Sequence, residues 1–307
     1  DVYKRQGCDM ASAAPAPTRT ETDSLGSMEI PADAYWGIHT ARADANFPIT
    51  KRPISVYPDL VVALAMVKQA SARANREIGV LDPERADLID RAAQRVIDGE
   101  FHDQFTVGVI QGGAGTSTNM NANEVITNIA LELAGREKGD YAFLSPIDHT
   151  NRSQSTNDVY PTAVKIGLSL TLRSLLEELD LLRISFLHKS HEFHDVLKVG
   201  RTQLQDAVPM TLGQEFHGFA STLGYDHTRL TENASLMFEI NMGATAIGTG
   251  ITTHSDYAPA VLKHLREITE LDLVTSADLV EATSDTGSFM SFSSTLKRNA
   301  MKLSKIC

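Results

Sequence analysis

A heptad pattern of large apolar residues in the second half of this chain constrains its fold more than any other feature. The first stretch places such residues four and three positions apart, at Leu168, Leu172, Leu175, Leu179, Leu182 and Phe186. A stripe with this spacing lies on one side of a helix and needs a partner helix to cover it. The same register continues at Leu212, Phe216, Phe219, Leu223, Leu230 and Met237, and a third stretch begins at Phe289, Phe292, Leu296, Leu303 and Ile306.

Three such stripes in one chain predict a bundle of long helices. We expect each helix to exceed about 30 residues, which corresponds to about 45 Å at the usual rise per residue. Long bundles of this kind commonly associate into oligomers. Because strand patterning is weak throughout, we predict a mainly α fold.

Shorter helices and an extended arm are predicted before the bundle. Apolar residues have helical spacing over Leu60–Ile78, and a second helix opens at Asp82-Pro83 and reaches about Ile97. A third helix covers Val125–Leu133. The segment Glu29–Ile49 is rich in Pro, aromatic and small residues, and we interpret it as an extended arm.

These patterns divide the chain into three segments. We predict that residues 1–25 are a flexible leader. Residues 1–9 precede the first Met, and we interpret them as foreign to the protein. We expect an N-terminal domain over residues 26–153 and a helical-bundle domain over residues 154–307. The chain ends on MKLSKIC in an apolar helical phase without a stop signal, so we expect an N-terminal fragment with an incomplete bundle.

Composition excludes several functional classes. The net charge of the 307 residues is −11, which argues against a nucleic-acid surface because that would need a basic stripe. No run of about 20 apolar residues predicts a membrane span. The chain has two cysteines, Cys8 and Cys307, so a disulfide framework is not expected and the cytoplasm is the predicted compartment.

The first polar cluster is Thr116-Ser117-Thr118-Asn119, within the stretch GGAGTSTNMNANE that starts at Gly112. It precedes an apolar helical run, so we place it at a helix N-terminus. Free backbone N–H groups and the helix dipole make such an end attractive to an anion. Plain capping of the helix by a hydroxyl is the alternative explanation. A phosphate loop is not indicated, because the GK[ST] ending is absent.

Two further polar clusters flank the first heptad stretch, which runs from Leu168 to Phe186 and whose apolar stripe is called a seam below. Ser155-Thr156-Asn157-Asp158 precedes it, with Pro161 in the first turn, and provides more capping side chains than a single cap requires. The third cluster lies in GRTQLQDAVP, which starts at Gly200 and contains Thr202 and Gln203. Taken alone, this third stretch is better explained as a helix–helix turn with its own hydrogen bonds.

Histidines do not indicate a metal centre or a hydrolase triad. His39, His149 and His254 fall in predicted loops, with no Cys or carboxylate at ligand spacing. A Ser-His-Asp triad cannot be identified from chain order alone.

Taken together, the clusters resemble the aspartase/fumarase superfamily over about residues 20–307. The matching stretches are GGAGTSTNMNANE, SQSTND followed by VYPT, GRTQLQDAVPMTLGQEF, GATAIGTG, EIPADAYWGIHTARA and LVEATSD. The residues of these motifs are more similar to those of the aspartase branch than to those of class II fumarases. Class II fumarases tend to have GSGTQS for the first motif and Ser-Ser-Asn for the second. Gln203 also stands where fumarases carry a histidine.

The resemblance implies a mainly α, aspartase/fumarase-type fold and the reversible elimination of ammonia from L-aspartate to give fumarate. By position, Thr116, Ser155 and Thr156 would bind the β-carboxylate, and Asn157, Thr202 and Gln203 would hold the leaving amino group. It implies no organic cofactor, while some members of the superfamily are activated by a divalent metal. The implied partners are the substrates and three further copies, in a homotetramer whose active sites are shared between subunits.

The catalytic base implied by the resemblance is missing from this sequence. In the superfamily it is a serine on a Gly-Ser-Ser…Pro-x-Lys-x-Asn loop, and no such stretch occurs in the 307 residues. We therefore assign no catalytic base and expect the fragment alone to be inactive. The serines Ser288, Ser291, Ser293 and Ser294 fall on a helix that packing already explains. Because the sites are shared, we expect Thr116, Ser155 and Thr202 to lie far apart in one chain.

Two other interpretations remain open. The chain could belong to a class II fumarase or to another lyase of the superfamily, such as one acting on argininosuccinate. It could also be a helical assembly protein that has the fold but no catalysis.

Overall fold

The computed structural model describes residues 16–307. Its helices are α1 (Ile38–Asn46), α2 (Pro58–Glu77), α3 (Pro83–Ile97), α4 (Thr116–Leu133), α5 (Thr156–Glu192), α6 (Leu212–Ala234), α7 (Tyr257–Thr269), α8 (Leu279–Ser284) and α9 (Gly287–Ile306). Its strands are β1 (Thr18–Asp23), β2 (Gly26–Pro31), β3 (Leu197–Thr202), β4 (Gln205–Thr211), β5 (Glu239–Ile240) and β6 (Val274–Thr275). The mainly α prediction is therefore confirmed, and no helix of the described residues is long and apolar enough to cross a bilayer.

An antiparallel hairpin and a short helix form the start of the described chain. Strand β1 pairs with β2, with Thr18 opposite Pro31. The predicted leader lies partly outside the described residues, and from Thr18 onwards it is a strand. The predicted extended arm is wrong beyond Pro31, because helix α1 occupies Ile38–Asn46.

Buried carboxylates hold the N-terminus of α1, which explains why a segment of weak helical pattern is helical. Glu124 of α4 accepts hydrogen bonds from the backbone N–H groups of Gly37, His39 and Thr40 at 2.9, 2.8 and 3.1 Å. Glu21 of β1 accepts from the N–H of Ile38 at 2.8 Å. The orphan donors of a helix start are thereby satisfied by side chains distant in sequence.

Helices α2, α3, α4 and α7 and the start of α5 enclose the larger apolar cluster. Val67 of α2, Ile126 of α4 and Ile166 of α5 are fully buried in it. The predicted bounds of α2 and α3 are confirmed within about two residues, and Asp82 caps α3 as its sequence pattern indicates. Helix α4 ends at Leu133 as predicted but starts at Thr116, nine residues before the predicted Val125. Several residues after position 239, among them Ile240, Tyr257 and Leu273, also belong to this cluster, so the cluster does not end at the predicted domain boundary after residue 153.

Helices α5, α6 and α9 form the bundle and contain the second apolar cluster. Leu172 and Leu179 of α5 pack with Leu223 of α6 and Phe292 of α9, as the seams predict. The predicted length is right for α5, which has 37 residues, and wrong for α6, which has 23. Helix α9 has 20 residues up to the last residues of the sequence, so its predicted length stays a prediction. Helix α6 is shorter because the residues before Leu212 form strands.

A β-hairpin, and not a helix–helix turn, joins α5 to α6. Strand β3 pairs with β4 so that Thr202 faces Gln205, and the turn residues Gln203 and Leu204 have φ of +49° and +66°. Most of the hairpin is exposed, Leu204 to 90%. Since neither face is buried in this chain, the alternating pattern of a half-buried strand is absent, and that explains the wrong interpretation.

Candidate functional site

The first cluster forms the uncapped start of α4. Gly115 occupies the N-cap position at φ +85°, and no side chain caps the helix. The hydroxyls of Thr116 and Ser117 are therefore not used as caps. The free N–H groups of this first turn and the helix dipole favour an anion here.

Glycine at position 115 is required by both conformation and space. Its positive φ disfavours any residue with a Cβ, and an added Cβ would lie 2.3 Å from the Cγ atom of Tyr160. The ring of Tyr160 in α5 therefore packs directly on the start of α4. This contact brings the N-terminal ends of the two helices together.

The second cluster forms the start of α5, and its hydroxyl oxygens already act as acceptors. Ser155 is the N-cap, and its Oγ accepts from the N–H of Asn157 at 3.3 Å. The Oγ1 of Thr156 accepts from the Nδ2 of Asn119 at 3.2 Å. Each hydroxyl has a single hydrogen to donate, and in the described chain neither donates it to a protein acceptor. Both hydroxyls can therefore donate to a ligand.

Asn157 offers a hydrogen-bond acceptor, whereas Ser155 and Thr156 offer donors. Its Nδ2 donates to the carbonyl oxygen of Ala246 at 2.7 Å, within the GATAIGTG stretch. Its Oδ1 makes no hydrogen bond with the described residues and can accept one from a ligand cation or amine. The start of α5 therefore offers donors and an acceptor side by side.

A buried aspartate fixes the start of α5 to the same glycine-rich stretch. Asp158 is fully buried, and its Oδ1 accepts from the N–H of Ser155 at 2.9 Å. Its Oδ2 accepts from the N–H groups of Gly243 and Thr245 at 3.2 and 3.0 Å. Burial raises the pKa of Asp158 to about 6, against the lowering effect of these hydrogen bonds and of Lys68.

Sequence reasoning did not identify Lys68, which links the first two clusters. It lies on α2 with no exposed surface. Its Nζ donates to Oδ1 of Asn119 at 2.7 Å, Oδ1 of Asn151 at 3.0 Å and Oε1 of Gln154 at 2.8 Å. Burial lowers its pKa to about 7, against the opposing charge of Asp158. The available signal was a single lysine among the apolar residues of VVALAMVKQASA.

The first and second clusters meet within one chain, which corrects the expectation that they lie far apart. The Asn119–Thr156 hydrogen bond joins them directly. The third cluster is remote from both, as expected. Thr202 and Gln203 follow the C-terminal end of α5, and a helix of 37 residues is about 55 Å long. Both residues are exposed at the hairpin tip.

A cleft of about 450 Å³ opens beside the joined clusters. Its walls include Ala114, Asn157 and Tyr160, together with Thr283 and Asp285 from the region of α8. The half-buried Lys165 also lines it, and burial lowers the pKa of this lysine. A small polar ligand fits a space of this size.

The described residues contain no group of three or more His, Cys, Asp or Glu side chains that could hold a metal ion. No step through a metal is therefore derived for this site. The joined clusters supply hydroxyl hydrogens, helix-end N–H groups and one free amide oxygen. Such a set can bind a carboxylate and stabilise negative charge that grows on it.

Comparisons with known proteins identify relatives of the chain. The chain is 57% identical to the aspartate ammonia-lyase of Pseudomonas aeruginosa over 95% of its length, and covers 62% of that relative. It is 50% identical to the aspartate ammonia-lyase of Escherichia coli, covering 94% of this chain and 61% of the relative. The chain thus spans about three fifths of the length of these curated relatives.

Solved structures share the fold. A structure described as fumarate lyase:delta crystallin from Brucella melitensis bound to cobalt matches with a TM-score of 0.93 and 51% identity, over 94% of this chain and 63% of that one. A class II fumarase from Schistosoma mansoni matches with a TM-score of 0.88 and 29% identity, over 94% and 64%. The model of the lyase family matches residues 26–307, and the chain therefore belongs to the lyase family.

Proposed function

We propose that the protein, as its complete gene product, reversibly eliminates ammonia from L-aspartate to give fumarate. The observation that carries the proposal is the junction of the first two clusters, which gathers uncharged donors at two helix N-termini. The relatives named aspartate ammonia-lyase support the choice of substrate. Because the chain covers about three fifths of their length, the activity of the whole protein is an inference.

The reaction requires stabilisation of a dianion. Removal of a proton from the β-carbon of aspartate places a second negative charge on the β-carboxylate, as an enediolate. The C–N bond then breaks, and the electron pair leaves with the amino group as ammonia. Preorganised donors that point to the growing charge lower this barrier, and loss of one such donor costs about 3 kcal/mol.

Thr116, Ser155 and Thr156 would bind the β-carboxylate. All three carry hydroxyls at the two adjacent helix starts. The hydroxyl oxygens of Ser155 and Thr156 each accept one hydrogen bond, from the N–H of Asn157 and from Nδ2 of Asn119. Each hydroxyl can therefore direct its hydrogen to the substrate. The uncapped N–H groups of α4 add to the same electrostatic effect.

Asn157, Thr202 and Gln203 would hold the leaving amino group. The free Oδ1 of Asn157 suits an ammonium donor, since its Nδ2 is engaged by Ala246. Thr202 and Gln203 are far from this point in the same chain, so they would come from a neighbouring subunit. We therefore infer a homotetramer with shared active sites.

The remaining elements of the proposal concern the base, the cofactor and the compartment. We assign no catalytic base, because the serine loop that the resemblance implies does not occur in these 307 residues. No organic cofactor is needed for this elimination. Activation by a divalent metal remains a prediction, and so does a cytoplasmic location.

The test measures fumarate released by the complete gene product from L-aspartate and, separately, from L-malate. We expect release from aspartate alone. The variant Thr156→Val keeps the shape of the side chain and removes its hydroxyl, so kcat should fall about 100-fold or more. Release from malate at a comparable rate, or full activity of the variant, would contradict the proposal.

A further inference from the structure

Lys68 has three donors and no acceptor, and it is surrounded by three amide side chains. As an ammonium it can donate three hydrogen bonds, and it meets three oxygens, of Asn119, Asn151 and Gln154, at 2.7 to 3.0 Å. It has no exposed surface. In its ammonium form, a lysine so enclosed has no free electron pair for attack on a substrate, and with no exposed surface it has no route to one.

The ammonium fixes which way the Asn119 amide faces. Three oxygen acceptors around Nζ favour the ammonium form of Lys68. Since an ammonium group cannot accept a hydrogen bond, the atom of Asn119 beside it must be the oxygen. The nitrogen, Nδ2, then faces Oδ1 of Asn151 at 3.1 Å and Oγ1 of Thr156 at 3.2 Å. The reversed amide would place two hydrogens against the ammonium and an oxygen against Oδ1 of Asn151.

This orientation decides what Thr156 can do. Its Oγ1 accepts from Asn119, so its own hydrogen must point elsewhere. With a reversed amide, the hydroxyl would donate to Asn119 and would present only lone pairs to a carboxylate. Lone pairs would repel the negative charge that the reaction develops.

We propose that Lys68 is a positioning residue, which orients the Asn119 amide so that Thr156 donates its hydroxyl hydrogen to the substrate carboxylate. This inference rests on the proposed function, because it assigns a donor role to Thr156. Lys68 never touches the substrate. Its effect passes through one amide and one hydroxyl.

The sharpest test is Asn119→Asp. A carboxylate at this position can still accept from Lys68, so the buried lysine keeps a partner and the protein should fold. The carboxylate cannot donate to Thr156, whose hydroxyl would instead donate to it. We expect kcat for aspartate to fall about 100-fold with KM changed less than about threefold, since the lost contact acts in the transition state.

A double-mutant comparison tests Lys68 itself. Lys68→Met alone should lower kcat about 10- to 100-fold. Thr156→Val alone should lower kcat by a larger factor. If Lys68 acts through Thr156, the double variant should match Thr156→Val within about threefold. If Lys68 has only a structural role, the loss of kcat in the double variant should instead equal the product of the losses in the two single variants. Lys263→Met, which removes an exposed lysine of α7 paired with Glu77, is the matched control and should leave kcat unchanged.

The outcomes separate this inference from the proposed function. If the unmodified protein does not release fumarate from aspartate, the proposed function fails. If it does, and a folded Asn119→Asp variant keeps kcat within about threefold, the positioning role is overturned. Independent, multiplying losses in the double variant overturn it as well. If Lys68→Met does not fold, as judged by circular dichroism, Asn119→Asp decides alone.

Discussion

At the scale of single residues, the site combines hydroxyls at two helix starts with charged groups that have no exposed surface. Lys68 and Asp158 are both fully buried. Burial lowers the pKa of Lys68 and raises the pKa of Asp158, because it favours the neutral form of each group. Both hold amides and backbone groups that in turn orient the hydroxyls, so the chemistry at the surface depends on groups beneath it.

Asp158 predicts a specific pH dependence of stability. Its pKa is about 6 in the folded chain and 3.8 in the unfolded chain. Between these values the folded state binds the proton that the unfolded state has lost, so the free energy of unfolding falls as pH rises through this window. The total contribution is about 3 kcal/mol.

The measurement is the midpoint of urea unfolding at several pH values between about 4 and about 6.5. The variant Asp158→Asn cannot titrate, so the difference between its midpoint and that of the unmodified protein should narrow as pH rises. The variant should be less stable at every pH tested, because its amide nitrogen would face backbone N–H groups that donate hydrogen bonds to the carboxylate in the unmodified protein. A difference that does not change with pH would contradict the prediction.

Sequence alone identified the hydroxyl clusters but not the residue that joins them. Thr116, Ser155 and Thr156 stand in recognisable motifs beside predicted helix starts. Lys68 stands alone in an apolar helix, where a lysine is ordinarily explained by extension of its charged end to solvent. Its three amide partners come from α4 and from the loop before α5, and that contact depends on tertiary packing.

At the scale of elements, the helices with apolar periodicity were predictable, whereas α1 and the β3–β4 hairpin were not. Helices α2 and α3 match their predicted bounds within about two residues, and α3 has a recognisable start at Asp82-Pro83. The start of α1 depends on Glu21 and Glu124, which are distant in sequence. The β3–β4 hairpin buries little of its surface in this chain, so no alternation of apolar and polar residues marks it. Its turn also uses non-glycine residues at positive φ, which removes the usual turn signal.

The bundle seam predicts where truncation of a side chain is costly. Leu223 of α6 is fully buried in the second apolar cluster. Leu223→Ala should lower the free energy of unfolding by about 3 kcal/mol through lost contacts and a residual cavity. Leu204, 90% exposed at the hairpin tip, provides a matched leucine control. Leu204→Ala should change the value by less than about 0.5 kcal/mol.

Denaturant unfolding of both leucine variants distinguishes a packed seam from a loose one. Equal effects of the two substitutions would be incompatible with the buried seam described for α5, α6 and α9.

At the scale of the whole molecule, the separation of the clusters determines what one chain can supply. The first two clusters lie at one end of α5 and the third at the other, about 55 Å away. A complete set of substrate contacts in the proposed lyase therefore needs more than one copy. The sequence could not show which clusters share a chain, because motif order does not report distance.

Complementation between inactive variants tests this arrangement. Thr156→Val and Thr202→Val should each be nearly inactive as the complete gene product. When the two are dissociated, mixed and reassembled, some sites would combine an intact Thr156 from one subunit with an intact Thr202 from another. We expect fumarate release from aspartate to return in part.

Each variant reassembled alone provides the control and should stay inactive. No recovery in a mixture that has formed hybrid assemblies, as verified by a mass or affinity tag on one variant, would mean that each site draws both threonines from a single subunit.

The carboxylate of Glu124 has a consequence for local opening of the chain. It ties Gly37 and the first turn of α1 to the middle of α4 through hydrogen bonds from Gly37, His39 and Thr40. Amide hydrogens in loops usually exchange with deuterium quickly, but these can be released only when the packing around α4 opens. Their exchange should therefore be as slow as that of the buried turns of α4, and in Glu124→Gln it should accelerate selectively.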